Sequence, residues 1–578
     1  MIKECIGVDI GTTYSIVTYN DDGLIKTHSF LNDGETVNSI VVYNDDIEQF
    51  YYGIEAKTES YDSDNTVFKG FKMLLNEENK QLLKENHYEE FTPEEITEKY
   101  INYIIKSYLR NQKIDYIDEL YIGVPEIWFL EKDKAKGRTI LKNIFNNIEY
   151  KNKKAIGNIQ LIAEPEAACA CFVVHNDKQR HHRFQGRCLV VDYGGGTLDI
   201  ALCKVENEND ISDVTVEERC GIGANSEGKI GKAGLAYIEE VARLSLLEYF
   251  KEEEIEKDAE FYKLADSIEK RVFFDHENAE KIDTVFNMIM EDMSFEEMIL
   301  DNSCMDNIEL CEDELLKPIG KYHKKKIELK HSVLLQAYRT VIYEPLKQQL
   351  DLIKNYMDEK KIVYSFEEVN DDYNFRVLMV GGFCNYSLVR KQIENHFDAQ
   401  PTDIRFIYQE KEPQKAIALG LGYLANGLIS FKRVAPYDIG IATSTDINKG
   451  IAFKRGETYK IGVPKFIMGG KDKTGKQVYQ KFGGNKVPKI FFNNTKLGEK
   501  NIAAYPPTKQ LEQMLALNPM KVYNFGFSLD QNQVFSLHKI EYDVDDTKIG
   551  DERFSNPKET IIELTDIDDW FGGIRVIL

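Results

Sequence analysis

The chain has 578 residues, 42% of them apolar and 29% charged, with a formal net charge of −24. That length exceeds what one hydrophobic core supports and predicts several domains, while the ordinary composition excludes wholesale disorder. The acidity argues against nucleic acid or an anionic membrane surface as a partner, because both require a basic face.

No apolar run is long enough to span a bilayer. The opening residues, MIKECIGVDIGTTYS, reach Asp9 too early for the apolar core of a signal peptide, so a cytoplasmic location is expected. The nine cysteines agree with it. Cys169, Cys171, Cys188 and Cys203 lie in apolar runs and read as small buried hydrophobes of a reducing compartment.

In chain order, the first informative element is residues 6–18, IGVDIGTTYSIVT: an apolar strand, an Asp, a Gly-Thr-Thr turn and a second strand. Residues 189–202, LVVDYGGGTLDIAL, repeat that order. Both predict β-hairpins with buried strands. Small turn residues let backbone N–H groups approach an anion, and Thr12, Thr13 and Thr197 add hydroxyl donors. Asp9 and Asp192, at the strand ends, repel phosphate unless a divalent cation or its water shell lies between. One Gly-rich turn is common; two with the same Asp-x-Gly core point to two related lobes, each supplying half of a phosphate clamp.

Between the hairpins, LIAEPEAACACF (161–172) predicts a helix starting after Pro165, with Ala167, Ala168 and Ala170 small enough for another helix to cross closely. The stretch EPQKAIALGLGYLANG (412–427) has the same character. Tight core packing and a hinge role are both open for these helices. His175, His181 and His182 are expected in an exposed loop, and no Cys or carboxylate at ligand spacing makes them a metal site. Residues 376–393, RVLMVGGFCNYSLVRKQI, predict a strand, a Gly-Gly turn and an amphipathic helix from Asn385 or Ser387, which places amides at the edge of a nucleoside site. After Gly427 the pattern alternates. Ile451 and Phe453 are expected to pair back with Tyr459, Ile461 and Val463. Phe525, Phe527 and Leu529 are expected to pair with Phe535 and Leu537, and 511–519 reads as an interrupting helix.

This order of elements resembles that of the actin, sugar-kinase and heat-shock superfamily. Within it, VDIGTTYS, AEPEAA and VDYGGGTLD resemble the 70-kilodalton heat-shock family, the DnaK chaperones. NTVF at 65–68 with FKMLL, GVPEIWF at 123–129 and YEPLKQQL at 343–350 extend the likeness, which covers about residues 3–430. The resemblance implies an α/β, two-lobed actin-like ATPase with duplicated ribonuclease-H-like lobes, about 1–187 and 188–430. A smaller mainly-β domain over 436–578 resembles a reduced substrate-binding β-sandwich, with no helical lid expected.

Residue by residue, the resemblance implies Mg²⁺ held mainly through water by Asp9, Asp192 and Asp199. Gly11, Thr12, Thr13 and Tyr14 would form one phosphate turn, and Gly194, Gly195, Gly196 and Thr197 the other. Lys72 and Glu164 would flank the attacking water, while Glu269, Gly381, Gly382 and Phe383 would face the adenosine. It further implies slow hydrolysis of ATP to ADP controlling a protein or peptide client, with a co-chaperone or nucleotide-exchange factor as further partner. The chain departs from the family pattern at Phe383 and Asn385, where a Ser and an Arg usually touch the adenine, so stacking is expected to replace polar readout. It departs also at the 219–235 loop and in the linker LISFKRVAPYD. The alternatives on the same fold are a small-molecule kinase and an actin-like filament. The first lacks a separate acidic motif for an acceptor hydroxyl, and the second usually lacks a C-terminal β domain.

Overall fold

The computed structural model describes residues 3–563 apart from scattered positions and short stretches, the longer ones being 224–232, 302–318, 409–414, 443–449, 494–502 and 506–517. The chain divides into two compact units, Met1–Trp128 with Ile140–Ser430, and Phe129–Thr139 with Phe431–Leu578.

The first unit is built on two mixed sheets of matching topology. In one, β1 (Cys5–Ile10), β2 (Tyr14–Asp21), β3 (Leu24–Thr27), β4 (Ile117–Val124) and β5 (Ile156–Ala163) lie in the order β5-β4-β1-β2-β3. In the other, β6 (Gly186–Tyr193), β7 (Leu198–Glu208), β8 (Ile211–Ile222), β9 (Phe375–Val380) and β10 (Phe406–Tyr408) lie in the order β10-β9-β6-β7-β8. In both, the first three strands are parallel neighbours and the last two add antiparallel. The central strands are buried: Ile6, Val8 and Ile10 fill one face of β1, and Leu189, Val190 and Val191 fill both faces of β6. That burial matches parallel neighbours covered by helices on both sides.

Helices α1 (Glu164–Arg180), α2 (Gly234–Leu247), α3 (Ala259–Glu269), α4 (Ser387–His396) and α5 (Ala416–Ala425) complete what matters for the site. Small residues set how closely α1 and α5 approach. A Cβ at Gly420 would fall on the Ala167 carbonyl oxygen, and one at Gly7 of β1 would lie 2.6 Å from the Gly422 nitrogen. Thr18 on β2 donates its hydroxyl to the Ala418 carbonyl at 2.8 Å. α5 is thus clasped between the first sheet and α1.

One expectation fails here. His175 is not in an exposed loop: α1 runs on to Arg180, and His175 Nε2 lies 2.9 Å from the Tyr423 hydroxyl of α5. Its burial lowers its pKa. The polar run NDKQR consists of residues that a helix accommodates, so polarity alone did not end it. His181 and His182 lie outside the described residues.

In the second unit, β11 (Asp438–Ala442), β12 (Ile451–Phe453) and β13 (Lys489–Asn493) belong to one antiparallel sheet. β14 (Lys521–Leu529), β15 (Phe535–Val544) and β16 (Phe554–Glu563) belong to another. Phe527 faces Leu537 and Leu529 faces Phe535, as their alternation predicts. Phe525, Phe527, Leu529, Phe535 and Leu537 join Ile439, Ile441 and Phe453 in one core. Among the described residues of 459–463 the expected return strand is not seen. β12 pairs with β11 instead, Val463 is 53% exposed, and Ile461 lies outside the described residues. The helix expected at 511–519 falls almost wholly outside them too.

Candidate functional site

The turns of the two hairpins face each other. A Cβ at Gly195 would lie 2.7 Å from Thr13 Oγ1, and one at Gly196 would lie 2.5 Å from Thr12 Oγ1, so glycine is required for the turns to meet. The β1–β2 turn is held by Ser39, whose N–H donates to the Thr13 carbonyl at 2.9 Å. The β6–β7 turn closes on itself, the Gly194 N–H donating to the Thr197 carbonyl at 3.0 Å. Its Gly194 and Gly195 carbonyls accept from Gly234 and Leu235 at the start of α2.

Between the turns is a cavity of about 400 Å³. Asp9, Gly11, Thr12, Thr13, Tyr14, Lys72, Glu164, Asp192, Gly194, Gly195, Thr197, Glu269, Gly381, Gly382 and Phe383 all line it. Two residues singled out in the sequence do not: Gly196 packs on Thr12, and Asp199 is fully buried opposite Asp192 in the β6–β7 register. Thr36, Pro125, Leu235 and Phe273 also line the cavity and were missed. Only Pro125, directly after the β4 run in GVPEIWF, carried a local signal.

The walls are acidic. Asp9 and Asp192 are almost fully buried, and burial with the negative charge of Glu164 pushes Asp9 up to about 7 and Asp192 well above the usual carboxylate range. Lys72 opposes this. It sits in the short turn Phe71–Leu74, is 3% exposed, and its Nζ lies 2.6 Å from Glu164 Oε1 and 3.5 Å from the Gly123 carbonyl. Carboxylates pushed upward by desolvation, and then by nearby negative charge, favour a bound cation, which would restore their charged forms. Among the described residues no group of three or more His, Cys, Asp or Glu converges at ligand distance.

Gly381 closes the cavity from the second sheet. It has φ +82°, open to glycine, and a Cβ there would lie 2.5 Å from the Tyr193 carbonyl and 2.6 Å from Asp192 Oδ1. The Phe383 ring is 3% exposed and belongs to a cluster with Tyr193, Tyr237, Phe273 and Tyr386, at centroid distances of 4.9 to 5.9 Å. It forms an apolar wall where a hydroxyl would have offered a hydrogen bond. Glu269, raised by burial and by Asp266, lines the same cavity.

A second constellation lies in the β unit. Ser528 Oγ is 2.7 Å from His538 Nε2, and His538 Nδ1 is 2.8 Å from Glu559 Oε1. The order is that of a hydrolase triad, yet Ser528 is 5% exposed. With the nucleophile covered, these contacts satisfy the buried Ser528 and His538, the latter through the exposed Glu559.

The geometry thus defines a class of protein with paired glycine-threonine turns set over buried carboxylates in an acidic cavity. No protein-family profile matches the chain. It is 30% identical over 233 residues to the chaperone protein DnaK of Ureaplasma urealyticum, covering 39% of this chain and 33% of that protein. To DnaK of Metamycoplasma hominis it is 28% identical over 214 residues, 36% and 31% of the two chains, and to that of Mycoplasmoides gallisepticum 27% over 230 residues, 39% and 33%. The match spans about a third of the length of these relatives. Over that part, the chain is similar to the DnaK-type 70-kilodalton heat-shock chaperones. No helix among the described residues is long and apolar enough to cross a membrane.

Proposed function

We propose that this chain binds ATP with Mg²⁺ in the cavity between the hairpin turns and hydrolyses it slowly to ADP and phosphate. On this reading the matching sheets are the two lobes of an actin-like ATPase. The nucleotide state governs a protein or peptide client held by the β unit, in the cytoplasm, with a co-chaperone or exchange factor to reset it. The observation that carries the reading is the meeting of the two turns above Asp9 and Asp192.

When bound, Mg²⁺ supplies neutralisation of phosphate charge. Asp9 and Asp192 would hold it through water, with Asp199 behind Asp192 and outside the cavity. Thr12, Thr13 and Thr197 would present hydroxyls, and Gly11 and Gly195 amides, to the phosphate oxygens, the Gly194 amide being engaged by the Thr197 carbonyl. Lys72 and Glu164 sit together at the same wall, where an ammonium and a carboxylate 2.6 Å apart can orient a water for in-line attack without a strong base. Gly381, Gly382 and Phe383, with Glu269, form the nucleoside wall.

Phosphate release from ATP in the absence of any acceptor tests the reading against a kinase. Thr197→Ala removes one hydroxyl donor aimed at the phosphates, worth about 1–3 kcal/mol, and should slow release about tenfold to a hundredfold with affinity nearly intact. Loss of affinity with the rate preserved would reject the role given to Thr197.

A further inference from the structure

Arg219 on β8 is not among the residues lining the cavity, yet its guanidinium joins two elements that build it. Nη1 lies 2.6 Å from Glu126 Oε1, and Nη2 lies 3.4 Å from Glu166 Oε1. Glu126 is fully buried, and the other two side chains are 8–10% exposed. Glu126 follows Pro125, which leaves β4 into the cavity wall. Glu166 is in the first turn of α1, two residues after Glu164, the partner of Lys72. β8 belongs to the second sheet, whereas β4 belongs to the first and α1 follows β5 of it.

Three charges buried together are a poor source of stability, since desolvation offsets their attraction and apolar side chains of similar volume usually do as well. What they provide is geometry. A planar guanidinium reaches two carboxylates in fixed directions, which an ammonium on a flexible stem does not. Resting on the hydrolytic reading above, we propose that Arg219 is a positioning residue. By joining Glu126 and Glu166 it holds Pro125 and Glu164 in register with the second sheet, and so sets the alignment of the Lys72–Glu164 pair toward the attacking water.

The test uses the full chain and the variants Arg219→Lys, Arg219→Met, Glu126→Gln and the double variant Glu126→Gln/Arg219→Met. Melting temperature, ATP affinity and single-turnover hydrolysis are read for each. Arg219→Lys and Glu126→Gln should fold, keep ATP affinity within about threefold, and lose about tenfold or more in single-turnover rate. The double variant should lose no more than Arg219→Met alone, because both act through one tie. If Arg219→Met fails to fold, the two conservative variants carry the test.

Rates within about twofold of wild type in both conservative variants would overturn the tie. So would parallel losses of affinity and rate, the mark of a merely structural role. Wild-type protein that neither binds ATP nor releases phosphate overturns the functional reading and this inference together; normal wild-type turnover with unaffected variants overturns the inference alone.

Discussion

Lys72 and Glu164 make the pair on which the site's charge balance turns. Their charged atoms are 2.6 Å apart and both side chains are buried, at 3% and 8% exposure. At an effective dielectric of about 20 their attraction is about 6 kcal/mol. Removing two ions from water costs several kcal/mol each, so the pair contributes little net stability. Removing one partner is a different perturbation. Lys72→Met leaves Glu164 charged in the same wall as Asp9 and Asp192, with an expected cost of about 3–5 kcal/mol. Glu164→Gln leaves an ammonium that can turn to Asp9, and should cost only about 1–3 kcal/mol. The double variant Lys72→Met/Glu164→Gln should then be more stable than Lys72→Met. The chain has two tryptophans, and the Lys72 ammonium lies 5.9 Å from the ring of Trp128, so a Trp570→Phe background makes fluorescence report this region. Urea unfolding of the four proteins gives the cycle. Strictly additive costs, or a Lys72→Met protein as stable as wild type, would refute the reasoning.

Gly420→Ala places a methyl on the Ala167 carbonyl and should cost about 3 kcal/mol, read as a lowered melting temperature; an unchanged melt would mean that α1 and α5 do not approach so closely. Without ligand, stability should fall as pH rises from about 5 to 7. Glu126 binds its proton more tightly folded, at about 7 against an ordinary 4.5, and Asp9 shifts the same way. The penalty is absent below the unfolded value and complete above the folded one. It is worth about 3 kcal/mol for Glu126, and Glu126→Gln should flatten the profile; stability that rises through this window would contradict the assignment. If nucleotide state controls the β unit, cleavage near 430–436 in limited proteolysis should differ between saturating ATP and ADP. Lys432→Glu with Arg433→Glu should erase the difference, and identical digestion would reject the coupling while leaving the ATPase reading intact.

What could be seen in the sequence was local. The hairpins at 6–18 and 189–202 show as apolar runs broken by Asp-Gly turns, and both pair as antiparallel strands. The pairing of Phe525–Leu529 with Phe535–Leu537 is also a short-range pattern. Beyond what the resemblance implied, non-local structure was hidden. Lys72 lies on a stretch that reads as amphipathic, and its burial depends on Glu164, 92 residues away. Arg219, Glu126 and Glu166 come from three segments, and nothing in their spacing announces that they meet. The matching strand order of the two sheets needed strands as far apart as β1 and β5. At 459–463 alternation misled, because β12 found its partner in β11 rather than in the residues that follow it.

The most direct measurement is isothermal titration of the whole protein with ATP and with ADP, each with Mg²⁺, beside Asp192→Asn under the same conditions. The account predicts saturable binding of both nucleotides to wild type, dependent on Mg²⁺, and a weakened Mg²⁺ dependence in Asp192→Asn. No nucleotide-dependent heat together with no phosphate release, from protein shown to be folded, would contradict it.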